Sequence, residues 1–119
     1  NRWIMIAVIF EVHLSEGKTP EYLEIANDLM PSLTKIEGFI SIERFQSFTN
    51  DNKVLSLSFW RDEKAIQEWR TLESHRFAQL KGRGGVFEDY RLRVAGVIRN
   101  YGMNDRSEAP KDSKTLHGS

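Results

Sequence analysis

Trp3-Ile4-Met5-Ile6-Ala7-Val8-Ile9-Phe10 is apolar at every position and rich in β-branched side chains. The run has the length of a strand, and its unbroken apolar character suits a strand covered on both faces, hence central in its sheet. From Phe10 the pattern alternates, with Phe10, Val12 and Leu14 on one side and Glu11 and His13 on the other. The strand therefore leaves the core at its end. The run is far short of the roughly 20 apolar residues a membrane-crossing helix needs. It also lacks the basic start and small-residue cleavage site of a secretory signal. A soluble, cytoplasmic protein with no membrane partner is expected.

Reading outward, Ser15-Glu16-Gly17-Lys18 is turn chemistry. Thr19-Pro20-Glu21 then reads as helix cap, proline at the first helical position and acid in the first turn. Tyr22, Ile25, Ala26, Leu29, Met30, Leu33 and Ile36 follow at helical spacing as one apolar stripe. Pro31 interrupts that stripe and removes the hydrogen bond to the Asn27 carbonyl, which predicts a kink or a short second segment. Gly38 is expected to end the helix in a left-handed conformation.

Two strands, Phe39 to Gln46 and Val54 to Trp60, flank a hairpin loop at Thr49-Asn50-Asp51-Asn52. In the second strand Leu55, Leu57 and Phe59 make one face, read as plain core. Val54, Ser56, Ser58 and Trp60 make the other, read as a cavity wall or polar interface. Asp62 caps a helix carrying Ala65, Ile66, Trp69 and Leu72, and Ser74 offers a second cap that would restart a short helix ending at Gly82. A last strand, Tyr90 to Arg99, alternates Tyr90, Leu92, Val94, Gly96 and Ile98 against Arg91, Arg93, Ala95, Val97 and Arg99. Residues 1–99 make the domain. Residues 100–119 are a polar C-terminal tail, read as disordered alone or ordered by a partner.

The order β-α-β-β-α-β is the split βαβ arrangement, an α+β, ferredoxin-like fold with an antiparallel sheet. Helices on a single face leave the other face needing cover, and the first and third strands are apolar on both sides. A homodimer is the simplest cover.

At 119 residues the chain has room for one domain, and 39% hydrophobic residues with 11% aromatics suffice for one core. Lys plus Arg and Asp plus Glu each number 17, so the formal net charge is zero. That argues against nucleic acid as a partner, which calls for a basic excess. The absence of cysteine removes disulfides, thiolate metal sites and Cys nucleophiles. His13, His75 and His117 are far apart and lack the carboxylate–histidine spacing of a metal site, so no metal is expected. Leu80-Lys81-Gly82-Arg83-Gly84-Gly85 has the glycines of a phosphate nest but precedes a strand rather than a helix N-terminus.

The element order, taken with FQSFTNDNKVLSLSFWRDEKAIQEW at Phe45 to Trp69 and SHR at Ser74 to Arg76, resembles the antibiotic biosynthesis monooxygenase (ABM) domains of the dimeric α+β barrel superfamily. The resemblance spans about Ile4 to Arg99. It implies a dimeric barrel, and activities in the family include cofactor-free oxygenation of aromatic polyketides, quinol oxidation and haem degradation. The haem-degrading branch uses an Asn on the first strand, a Trp on the second helix and a His further along. Here Trp69 matches the Trp, but Phe10 and Gln79 stand at the other two positions. The cofactor-free branch pairs the helix Trp with an Arg on the last strand, for which Arg91 and Arg93 are the candidates.

With Ser74 as cap, His75 would sit in the first turn of a helix, where the dipole favours a neutral imidazole able to take a proton from a phenol or enol. On one continuous helix it would instead lie about 120° around from Trp69. Its alternative is an exposed or hydrogen-bond-satisfied histidine without chemistry. Trp69 and Trp60 could stack on an aromatic substrate or simply pack in the core. Arg44, Arg91 and Arg93 could hold a phenolate or reduced-oxygen anion, or pair with Glu43, Glu88 or Asp89. Ser56 and Ser58 could donate hydrogen bonds to a ligand. Two readings result: a cofactor-independent monooxygenase acting on a small aromatic or quinol-type molecule, and a non-catalytic ligand-binding or interaction domain on the same dimeric barrel.

Overall fold

The computed structural model describes residues 5–82 and 85–111, the side chains of residues 74–82 excepted. Its elements run β1 (Met5–Leu14), α1 (Thr19–Leu33), β2 (Phe39–Gln46), β3 (Lys53–Trp60), α2 (Glu63–Gly82) and β4 (Phe87–Val97). The sheet order is β2-β3-β1-β4, with every neighbouring pair antiparallel. This is the expected α+β, ferredoxin-like fold, with β1 inside the sheet. Among the described residues no helix is long and apolar enough to cross a membrane.

The two faces of the sheet have different fates. Ile6, Val8, Phe10, Val12 and Leu14 of β1 are buried, as are Val54, Ser56, Ser58 and Trp60 of β3. Against them α1 lays Tyr22, Ile25, Ala26, Leu29 and Leu33, and α2 adds Ala65, Ile66 and Trp69. On the open face Ile9, Leu55, Leu57 and Phe59 are only half-buried. The Leu55/Leu57/Phe59 face, expected to be plain core, is therefore the uncovered one, and the Ser/Trp face is the one packed under the helices. Both faces are apolar, and the strand pattern alone does not say which one the helices take.

Local chemistry explains the remaining departures. Lys18, not Thr19, is the residue preceding α1; it makes no side-chain cap bond, and proline still occupies the first turn. Pro31 falls in the last turn, so α1 ends soon after it instead of kinking, with the Thr34 amide donating to the Met30 carbonyl at 3.0 Å. Gly38 is left-handed (φ +97°) but stands at the entry to β2 rather than at the helix end. A Cβ there would come to 3.0 Å from the Ala65 Cβ, so the glycine also lets α2 approach.

Asp62 caps α2 as expected, its carboxylate accepting from the Ala65 amide at 3.0 Å. The expected break at Ser74 is absent, because α2 is one 20-residue helix. Ser74 is flanked by good helix formers with no Pro or Gly, and the small cost of a mid-helix serine does not end the helix. β4 starts three residues before the expected Tyr90 and ends at Val97. Beyond it the chain makes turns of its own. The Asn100 amide donates to Glu108 at 2.8 Å, the Arg106 guanidinium lies 5.1 Å from the Tyr101 ring centre, and Ala109 is buried.

Candidate functional site

Between the sheet and the helices lies a small, partly open apolar cleft with a cavity volume of about 40 Å³. Helix α1 lines it with Tyr22, Ile25, Ala26, Leu29 and Leu33, which the helical repeat brings to one face. The sheet contributes Phe10 from β1, Ile42 and Arg44 from β2, and Ser56 from β3. Helix α2 closes it with Trp69 and, one turn on, Glu73. Arg44 and Ser56 are directly opposed in the β2–β3 ladder, so their side chains rise on the same face.

The polar groups of this cleft are poorly hydrated. The Arg44 Nε is buried and finds no hydrogen-bond acceptor among the described residues. Such an orphan donor is costly and calls for an explanation. Burial pushes the Glu73 carboxyl up to about 8 from an ordinary 4.5. The Tyr22 phenol is also raised, chiefly by burial, against the opposing pull of Arg44.

The candidates read from sequence divide accordingly. Trp69, Arg44 and Ser56 meet on the cleft wall, and Phe10, which stands at the Asn position of the haem branch, is there too. Ser58 and Trp60 are not among its lining residues. Both are buried, and the Trp60 indole N–H donates to the Ser58 hydroxyl at 2.9 Å while its ring packs edge-on against Phe39 and Trp69. Their expected substrate-binding role gives way to mutual satisfaction within the core.

Arg91 and Arg93 are opposed to Glu11 and Ile9 in the β1–β4 ladder, which puts both on the open face, away from Trp69. Arg93 is ion-paired with Glu11, which also takes Lys53 at 3.0 Å. Hydrogen bonds from Lys53 and then Arg93 hold the Glu11 carboxyl below its ordinary range. The arginine that lines the cleft together with Trp69 is thus Arg44 of β2, not one of the expected last-strand arginines. The side chains of His75 and Gln79 lie outside the described residues. The backbone of α2 is continuous through them, so the first-turn electrostatics expected for His75 do not arise.

Sequence reasoning missed Glu73 and Tyr22. The available signal was spacing, since Glu73 follows Trp69 by one helical turn and so shares its face.

Residues 5–81 match the family model "Antibiotic biosynthesis monooxygenase". The chain is 48% identical over 101 residues to the jasmonate monooxygenase ABM of Pyricularia oryzae, covering 85% of this chain and 47% of that protein. It thus spans about half the length of that relative. It is 34% identical over 93 residues to YqjZ of Bacillus subtilis, covering 78% of this chain and 79% of the other. Among solved structures, a Shewanella oneidensis protein superposes with a TM-score of 0.71 at 20% identity, covering 82% of this chain and 93% of that one. SnoaB, a cofactor-independent oxygenase from Streptomyces nogalater, gives 0.64 at 9% identity, with coverage of 82% and 96%, and shares the fold. On the family match and these identities, the chain belongs to the antibiotic biosynthesis monooxygenase family.

Proposed function

We propose that this protein is a monooxygenase that oxidises a small apolar molecule of aromatic or quinol type in the Trp69 cleft, without a cofactor and as a homodimer. The observation that carries the reading is a half-buried arginine, Arg44, whose Nε is shut away without an acceptor on the wall of a mostly apolar cleft with Trp69 and Phe10. In this reading the substrate loses a proton and its anion rests on Arg44, which is worth more in a water-poor site than in solution. The anion then supplies the electrons for dioxygen. Where a methylene becomes a carbonyl, one oxygen atom enters the product, and the two hydrogens leave with the other as water. Four electrons pass from the substrate and balance the reduction of dioxygen.

A second reading concerns the substrate. The relative at 48% identity is a jasmonate monooxygenase, and jasmonate is itself a carboxylate that Arg44 could hold. The half-buried Ile9, Leu55, Leu57 and Phe59 on the open sheet face support the homodimer.

The test is oxygen uptake with quinols, polyketide-like phenols and jasmonate, run on the wild type, Arg44→Gln, Trp69→Ala and His75→Ala. The reading expects uptake with at least one compound and a loss of about 10²–10³-fold in Arg44→Gln, the usual scale for removing an oxyanion partner. The His75 variant decides whether a base other than the cleft-lining groups takes part. Binding without any uptake would establish the non-catalytic, ligand-binding alternative instead.

A further inference from the structure

Arg44 brings a positive charge to the cleft, and among the described residues no carboxylate pairs with it. The carboxylate nearest in role is Glu73, which lines the same cleft yet makes no ion pair with Arg44. Arg44 is half-buried with its Nε shut away from solvent, and among the described residues its guanidinium meets only the neutral Tyr22 phenol. Its charge thus lacks the counter-ion that ordinarily offsets such burial. The other titratable group on the wall is Tyr22 from α1. Phe10 from β1 and Ser56 from β3 carry no titratable group.

We propose that the cleft takes a small apolar molecule as its anion, a carboxylate or phenolate, with Arg44 as its cation and the Glu73 carboxyl as its hydrogen-bond donor. The inference rests on the cleft being the ligand site proposed above, and it does not require that the ligand be oxidised.

The condition of Glu73 makes this arrangement work. Burial keeps its carboxyl protonated until about pH 8. A protonated carboxyl neither cancels the charge of Arg44 nor repels an arriving anion, and its O–H points a donor into a site otherwise poor in donors. An ionised Glu73 would do the reverse on both counts. A positive field for the ligand thus depends on the proton that burial holds in place.

The experiment is calorimetric binding of naphthoate and of its neutral isostere naphthamide, between pH 6 and pH 9.5, to the wild type, Glu73→Gln, Arg44→Gln and Arg44→Lys. Nitrophenolate replaces naphthoate in a parallel series to separate the phenolate source from the carboxylate. One hydrogen-bonded charge of this kind corresponds to about a 10- to 100-fold preference for the anion over the amide in the wild type. The preference should disappear in Arg44→Gln and survive in part in Arg44→Lys, with circular dichroism confirming that each variant is folded.

Above about pH 8 the wild-type affinity for the anion should fall by up to tenfold per pH unit. Glu73→Gln, which keeps a donor but cannot ionise, should bind equally well across the range. Equal binding of naphthoate and naphthamide to the wild type would overturn the inference while leaving the cleft as an apolar ligand site. Failure of both to bind would overturn it together with the site. A pH profile in Glu73→Gln identical to the wild type would remove Glu73 from it.

Discussion

Replacing Glu73 by Gln should stabilise the folded protein, by an amount that depends on pH in a defined way. Glutamine is nearly isosteric with the protonated carboxyl and cannot ionise. In the unfolded chain Glu73 gives up its proton around its ordinary value of 4.5, whereas in the fold burial delays this to about 8. Between those values the folded state binds more protons than the unfolded state, so stability falls as pH rises. The loss is about tenfold in the folding equilibrium for each pH unit, and it levels off above pH 8. Integrated over that window it is on the order of 5 kcal/mol at most, a large share of the 5–15 kcal/mol that holds a typical domain together. Urea unfolding of the wild type and Glu73→Gln at equal concentration, from pH 4.5 to 8.5, measures the difference directly. The two should be nearly equally stable at pH 4.5, and the variant should lead by several kcal/mol at pH 8. A gap that does not change with pH, or a variant weaker at pH 8, would show that Glu73 is solvated and that the cleft is not dry.

Ser58→Ala removes the acceptor of the buried Trp60 indole N–H and should cost about 1–3 kcal/mol, read as a lower urea midpoint. An unchanged midpoint would mean that the indole finds another acceptor. Leu57→Arg places a charge in the middle of the open sheet face and should convert a dimer to a folded monomer. Light scattering with circular dichroism checks this, and a wild type that is already monomeric at micromolar concentration would refute the sheet-on-sheet dimer.

The fold was legible because its signals are local. The apolar run Trp3 to Phe10, the Thr-Asn-Asp-Asn loop and the alternation of Val54 to Trp60 each bear on their own few residues. What could not be read was which side each alternating set would face. Arg91 and Arg93 were rightly set against Leu92, yet only the pairing of β4 with β1 puts Leu92 opposite Phe10 and Arg93 opposite Ile9. The Ser74 cap failed for a different reason: a capping residue ends a helix only where the chain before it is willing to stop, and α2 is helical through it. Glu73 drew no reading from the sequence. Its burial arises from α1 and β2, elements distant in sequence from Glu73.

The register of β3 has an evolutionary consequence. Along Leu55-Ser56-Leu57-Ser58, neighbouring side chains leave the backbone in opposite directions, and β2 repeats the alternation with Glu43, Arg44 and Phe45. From Ser41 onward in β2, past the register shift that leaves Phe39 beside Trp60, and throughout β3, even-numbered positions look toward the cleft side and odd-numbered positions toward the open face. Selection for a new ligand can therefore act at Arg44 or Ser56 while the open-face surface drifts at its own pace. A family built on this sheet can diversify its chemistry and its assembly in two separate sets of residues carried on the same strands.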